Sequence, residues 1–151
     1  DLAMIYNVAD VTVAISDAEG FGLSTLESLY CETPILVTMT GGLQFQVTDG
    51  EEFFGVGLEA TSKAIIGSQE VPYIYEDRIS KEDFLDGLMK LYEMSPKDRD
   101  ELGQKGRDHA HKNFGFEAYA ERWDELLTKI NEEHGSWATR EKYKSYDVRI
   151  F

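Results

Sequence analysis

Basic charge is scarce in this sequence. Lys and Arg number 15 against 29 Asp and Glu in 151 residues, a formal net charge of −14 and a pI near 4.5. That balance excludes nucleic acid or an anionic membrane as the main partner, since both need a basic face. It leaves room for a phosphate ligand in a local pocket. Cysteine is nearly absent: Cys31 stands alone, which excludes a disulfide framework within the chain and fits a reducing compartment. No apolar run approaches the ~20 residues of a membrane span, and Asp1-Leu2-Ala3 is neither basic nor signal-like. The expectation is a cytoplasmic globular domain. A chain of 151 residues fits one domain and buries close to ~70% of its unfolded surface without disulfide or metal.

Periodicity organises the rest. Leu2–Val8 reads as a helix with no starting Met before it, as if the sequence opened inside a longer polypeptide. Val11-Thr12-Val13-Ala14-Ile15 has the β-branched character of a strand buried on both faces of a parallel sheet. A small-residue loop follows, then a helix from Leu23 to Tyr30 that Pro34 ends, then a second buried strand Ile35–Thr38. This alternation is the rhythm of a doubly wound α/β sheet. Residues 39–49 read as a loop around Gly41-Gly42, with a turn at Asp49-Gly50. Residues 51–71 read either as a hairpin (strands near Gly55–Leu58 and Lys63–Ile66) or as a structured loop, with Tyr73-Ile74-Tyr75 a third strand. Ser80 with Asp83, and Ser95-Pro96 with Asp98, are helix-start signals. The helix from Pro96 to about Lys112 is mostly polar and reads as exposed. Phe116, Tyr119, Ala120, Trp123, Leu126, Leu127 and Ile130 form an apolar stripe on the last helix. A charged and aromatic tail occupies 134–151. The domain expectation is 1–133, with 51–71 as an insertion, plus that tail.

The string with chemical content is Glu19-Gly20-Phe21-Gly22-Leu23-Ser24-Thr25-Leu26-Glu27. It leaves the carboxyl end of a strand and opens a helix, where open α/β sheets bind ligands. Gly20 and Gly22 remove side chains, so amides around Leu23, Ser24 and Thr25 are free donors where the macrodipole also favours an anion. Glu27, one turn beyond Leu23, is on a face that can look back to the loop. Its carboxylate can accept two parallel hydrogen bonds from a vicinal diol, and Glu19 at the tip can reach a hydroxylated sugar. The same string also reads as a plain strand-to-helix turn with two solvent-facing glutamates.

Tyr6-Asn7-Val8-Ala9-Asp10-Val11, the Glu19–Glu27 string with seven residues between its glutamates, Thr33-Pro34, Gly41-Gly42-Leu43 and Asp49-Gly50 resemble, in order and spacing, the donor-binding C-terminal domain of retaining GT-B glycosyltransferases. The resemblance is specific over 3–50 and weaker over about 72–130. It implies a partial Rossmann-like parallel sheet with flanking helices and an extended C-terminal helix. It further implies that Glu27 holds the nucleoside ribose. Glu19, as the catalytic residue, and Gly20, Phe21, Gly22 and Leu23 face the donor sugar, and the Ser24 and Thr25 amides face the diphosphate. The donor is a nucleoside-diphosphate sugar, transferred with retention and without metal or other cofactor. The family's acceptor-binding N-terminal domain and its basic pair on earlier strands have no counterpart here, so the chain alone is expected to bind weakly and catalyse little. Glu32 stands where the family has glycine after the Cys31 position, at a cost of roughly 1 kcal/mol if the backbone there is left-handed.

Other candidates are thinner. His109 and His111 diverge on a helix, and no surrounding pattern matches a metal site. Cys31 reads as a small core residue. Gly41-Gly42 lines the donor cleft or is a plain turn. With earlier strands missing, the strand at 11–15 has an open edge, which predicts a homo-oligomer through that edge or the terminal helix. Trp137, Tyr143, Tyr146 and Phe151 would cover the last helix or seek another chain. The alternative reading is a non-catalytic α/β oligomeric module that keeps the nucleotide-sugar scaffold. A generic acidic flavodoxin-like domain ranks below it, because it leaves the joint spacing of Glu19, Glu27, Pro34 and Gly41-Gly42 unexplained.

Overall fold

The computed structural model describes residues 1–136 and 138–139. The chain divides into two compact units, Asp1–Lys112 and Asn113–Phe151. The first holds α1 (Leu2–Val8), β1 (Thr12–Ala14), α2 (Leu23–Tyr30), β2 (Ile35–Thr38), α3 (Leu43–Val47), β3 (Gly55–Leu58), β4 (Ser62–Ile66), β5 (Ile74–Arg78), α4 (Lys81–Tyr92) and most of α5 (Pro96–Phe114). The second is built on α6 (Phe116–His134).

β1, β2 and β3 form a parallel sheet in that order, with Thr12 opposite Ile35 and Val37 opposite Gly57. β2 is its fully buried centre, and strand alternation divides the core. Ile35 and Val37 face Leu29, Leu43, Val47 and Ala110, while Leu36 faces Val56, Leu58 and Leu91. Each such side chain contributes about 1.5–3 kcal/mol by leaving water. Helices α2 and α3 cover one face and α4 the other. Among the described residues β1 pairs with β2 alone, and Val13 and Ile15 beside its outer edge are exposed.

The architecture is α/β with a three-stranded parallel sheet, flanking helices and a long C-terminal helix, and several local expectations need correction. Gly55–Leu58 is not half of a hairpin with 63–66; it is the third parallel strand. The hairpin partner of β4 is β5, which pairs Ile66 with Ile74 and Ser62 with Arg78, so 73–75 does not join the parallel sheet. The 39–49 loop contains a helical turn, α3. Helix α5 is not exposed throughout: Gly103, Gly106, His109 and Ala110 are buried. Gly103 lets it lie directly against the backbone of Glu32 and Gly106 against Leu29, and His109 stacks on Phe54 with ring centroids 4.2 Å apart. Cys31 caps α2 and is only half-buried.

Helix ends follow the sequence signals. The Ser80 and Ser95 hydroxyls accept from the Asp83 and Asp98 amides at 2.9 and 3.2 Å and donate back to their carboxylates. Thr33 N–H reaches Ser28 O and Glu32 N–H reaches Leu29 O, both at 3.0 Å, closing α2 with a Schellman motif. Glu32 occupies its left-handed position at φ 61°, so the condition attached to the replaced glycine is met. No residue of α6 is buried; Phe116, Tyr119, Trp123, Leu126, Leu127 and Ile130 are all exposed. The expectations placed on Trp137, Tyr143, Tyr146 and Phe151 lie outside the described residues. Among the described residues no helix is long and apolar enough to cross a membrane.

Candidate donor site at the first strand-to-helix turn

Loop 15–22 leaves the carboxyl end of β1 and enters α2 through Gly22, whose φ of 86° is left-handed. A Cβ there would meet Leu43 Cδ2 at 2.5 Å and Thr25 Oγ1 at 2.8 Å, so both conformation and space require glycine. With glycine as N-cap no side chain caps the helix, and the first-turn amides have no intrahelical acceptor. Gly20, Phe21, Leu23 and Ser24 are exposed around this opening, while Thr25 is buried.

A second loop seats the first. Gly42 N–H donates to Gly20 O at 3.0 Å, and a Cβ on Gly42 would lie 2.6 Å from Phe21 Cα. From α3, Gln46 is fully buried and donates through Nε2 to Phe21 O at 2.7 Å and Gly22 O at 3.0 Å. The Thr25 hydroxyl donates to Gln46 Oε1 at 2.6 Å, an assignment that uses every polar hydrogen of the group. The Thr25 hydroxyl therefore faces inward, and the residue as a whole has no exposed surface, against the expectation that its amide is open to a ligand. Gln46 lies in a stretch that reads as loop, so the sequence offered no signal for it; a glutamine four residues after a double glycine looks like surface.

The glutamates are placed separately. Glu19 is half-buried, accepting from Gly20 N–H at 3.0 Å and from the Ser16 hydroxyl at 3.5 Å, which holds it against its own loop. Glu27 is exposed and accepts from the Tyr6 hydroxyl at 3.0 Å, tying α2 to α1. Burial and the neighbouring Glu27 carboxylate both push the Tyr6 hydroxyl up, so it stays protonated and donating at neutral pH. One hydrogen bond leaves most of the carboxylate's acceptor positions open. The structure thus gathers Gly20 to Thr25 on one turn, and among the described residues Glu19 and Glu27 have no common hydrogen-bond partner. Among the described residues no cluster of three His, Cys, Asp or Glu could hold a metal ion.

A glycine-capped helix that opens at the carboxyl end of a parallel strand places this chain among the doubly wound α/β domains. The comparisons make this specific. The family model "Glycosyl transferases group 1" matches residues 1–109, and the chain belongs to that family. Trehalose synthase of Pyrococcus horikoshii is 28% identical over 124 residues, covering 81% of this chain and 24% of that protein. D-inositol 3-phosphate glycosyltransferase of Paenarthrobacter aurescens is 30% identical over 120 residues, covering 80% and 24%. The Thermomonospora curvata protein of the same name reaches 50% over 50 residues, covering 33% and 12%. The solved sucrose-phosphate synthase of Thermosynechococcus elongatus superposes with a TM-score of 0.64 at 25% identity, over 87% of this chain and 28% of that one. The chain is a group 1 glycosyltransferase domain of GT-B type, corresponding to the C-terminal region of such enzymes, and spans about a quarter of the length of the full-span relatives.

Proposed function

We propose that this domain binds the nucleoside-diphosphate sugar of a retaining glycosyltransferase, with the diphosphate on the amides opening α2 and the ribose on Glu27. The observation that carries the reading is the uncapped helix N-terminus at Gly22, set at the carboxyl end of β1 with an exposed carboxylate one turn deeper. The amide of the exposed Ser24 faces the diphosphate, with Thr25 behind it out of solvent, and Glu19 with the backbone of Gly20, Phe21, Gly22 and Leu23 faces the sugar. When the bond from the anomeric carbon to the diphosphate breaks, negative charge develops on the leaving phosphate oxygen. Fixed amide dipoles stabilise that charge without reorganising. The acceptor enters from a domain outside these residues, and the site needs no metal on this reading.

Titration calorimetry with a panel of uridine, guanosine and adenosine diphosphate sugars tests the assignment. Binding to one of them is expected, and Glu27→Ala should weaken it by about tenfold or more, the loss of charge-assisted bonds to a diol. Unchanged affinity in Glu27→Ala removes the ribose assignment.

A second reading rests on the open edge of β1: the domain is a non-catalytic oligomeric module joined through that edge or α6. Val13 and Ile15 beside the edge, and the exposed stripe of α6, favour association. A defined oligomer in sedimentation, together with no nucleotide affinity at millimolar ligand, selects it over the first.

A further inference from the structure

We propose that Tyr6 is a positioning residue of the donor site: its hydroxyl fixes the direction of the Glu27 carboxylate, so that the ribose diol meets acceptors already in place. The inference rests on the donor-binding reading and adds to it a residue of α1, outside the string at 19–27.

Tyr6 is the one residue of α1 that is not exposed. Its hydroxyl donates to Glu27 Oε2 at 3.0 Å. Its carbonyl accepts from the Thr33 hydroxyl at 2.8 Å and from Ala9 N–H at 3.0 Å. Thr33 is buried, and its own N–H closes the end of α2 on Ser28 O at 3.0 Å. The Ser28 hydroxyl donates back to Thr33 O at 3.0 Å. The backbone of Tyr6 is thus seated on the segment that ends α2, while its hydroxyl reaches Glu27 within the same helix. Both ends of the Tyr6–Glu27 bond belong to one frame, so the bond can hold the carboxylate rather than follow it.

Glu27 is exposed, and a glutamate on a helix surface keeps much of its rotamer freedom in water. A diol that meets a mobile carboxylate must order it on binding, and that ordering subtracts from affinity. An ionised carboxylate has about four acceptor positions. Tyr6 takes one on Oε2, which leaves that oxygen a second and leaves Oε1 for the other hydroxyl of a diol. Burial and the bond to Glu27 push the Tyr6 hydroxyl up from its ordinary value, so it stays a donor throughout the neutral range. The bond lies at the surface, where water replaces a lost partner at little cost to folding. Removing the hydroxyl leaves the ring and the Thr33 bond to the Tyr6 carbonyl in place. What it takes away is the direction of the carboxylate.

The test compares Tyr6→Phe, Glu27→Ala and the double variant with the unaltered chain. Calorimetry reads affinity for the diphosphate sugar of the uridine, guanosine and adenosine panel that the unaltered chain binds best, and for the 2′,3′-dideoxy counterpart of that ligand. Thermal midpoint is read alongside. Tyr6→Phe should weaken the ribose-bearing ligand by about three- to tenfold, the effect of ordering one long side chain on binding, at a nearly unchanged midpoint. The dideoxy ligand should bind Tyr6→Phe as it binds the unaltered chain. In the Glu27→Ala background Tyr6→Phe should add no further loss, because the hydroxyl acts only through that carboxylate. If Tyr6→Phe weakens both ligands alike, or adds its own loss without Glu27, the hydroxyl acts by another route and the proposal is overturned. A gain in affinity overturns it too, since the hydroxyl would then compete with the diol. So does a loss that tracks a fall in midpoint. If Tyr6→Phe binds normally while Glu27→Ala does not, the positioning role is wrong and the donor reading stands. If Glu27→Ala is harmless, or the unaltered chain binds no member of the panel, the ribose assignment and this role fall together.

Discussion

At the scale of single residues, the site turn depends on a side chain that never meets ligand. Gln46 supplies two donors to the Phe21 and Gly22 carbonyls and one acceptor to the Thr25 hydroxyl, all without solvent contact. Replacing it by leucine keeps much of the volume and removes all three bonds. Gln46→Leu should cost about 1–3 kcal/mol in urea unfolding, the range for stranding buried polar partners. Gln46→Glu should cost more at neutral pH, since a carboxylate would then face two carbonyl oxygens. Repulsion and burial would raise its folded pKa above the unfolded value, so the deficit should shrink as pH falls toward 5 and grow as pH rises. A deficit independent of pH would show that residue 46 is not held against those carbonyls. The strand-to-helix turn itself is legible in the sequence because its glycines sit where a strand becomes a helix. The supporting side is not, because a buried glutamine has the same letter as an exposed one. Glu32 is a different case: the resemblance places a glycine at this position and so raises the condition of a left-handed backbone, which φ 61° meets.

At the scale of elements, glycine explains both what could be read and what was misread. In α5, Gly103 and Gly106 lower helix propensity and raise apparent polarity, so the helix reads as a solvated one. A Cβ on Gly103 would lie 2.8 Å from the Glu32 carbonyl carbon and closer still to its oxygen. Propensity alone predicts that Gly103→Ala stabilises by about 1 kcal/mol. The clash is with backbone that the Schellman motif already fixes, so it cannot turn aside. Gly103→Ala should therefore destabilise by about 1–3 kcal/mol, the usual cost of overpacking, and a rise in midpoint would show that α5 does not lie on the α2 terminus. A similar ambiguity hid the partner of β3, whose bounds Gly55–Leu58 read as one arm of a hairpin or as a structured loop. Its glycines fit neither reading better, whereas a Cβ on Gly55 would meet Ile35 Cγ1 at 2.8 Å and one on Gly57 would meet Met39 Sδ at 2.5 Å. Within a strand, glycine marks close approach as readily as it marks a turn, and only the partner strand distinguishes them. The strongly patterned elements β1, β2, α2 and α4 were legible as elements, but burial follows the pattern throughout only in β2; the strand at 11–15, expected buried on both faces, exposes Val13 and Ile15. The relation between the β4–β5 ribbon and the loop at 15–22 was not legible, since it joins Asp17 to Asp77 and Arg78 across a separation that no local pattern encodes.

At the scale of the whole molecule, an acidic protein that binds a diphosphate sets a short-range attraction against a long-range repulsion. The net charge of −14 repels an anionic ligand from every direction, and that field extends over a Debye length of about 30 Å at 10 mM salt and about 8 Å at 150 mM. The amides opening α2 act instead at hydrogen-bond distance, where added ions hardly intervene, and the helix N-terminus contributes about 0.3–1 kcal/mol over its first turn. Salt should then remove more repulsion than attraction. Affinity for the best-bound nucleoside-diphosphate sugar should rise by about two- to threefold between 10 and 150 mM sodium chloride, measured by calorimetry at fixed pH. Sites built on Lys and Arg weaken with salt instead, because their attraction is the part that is screened. A severalfold fall over the same range would place a basic side chain on the phosphates and displace the Gly22 helix terminus as the main diphosphate contact. A rise identifies backbone dipoles as the anion site, the arrangement by which a chain with nearly twice as many acids as bases can take a doubly charged donor.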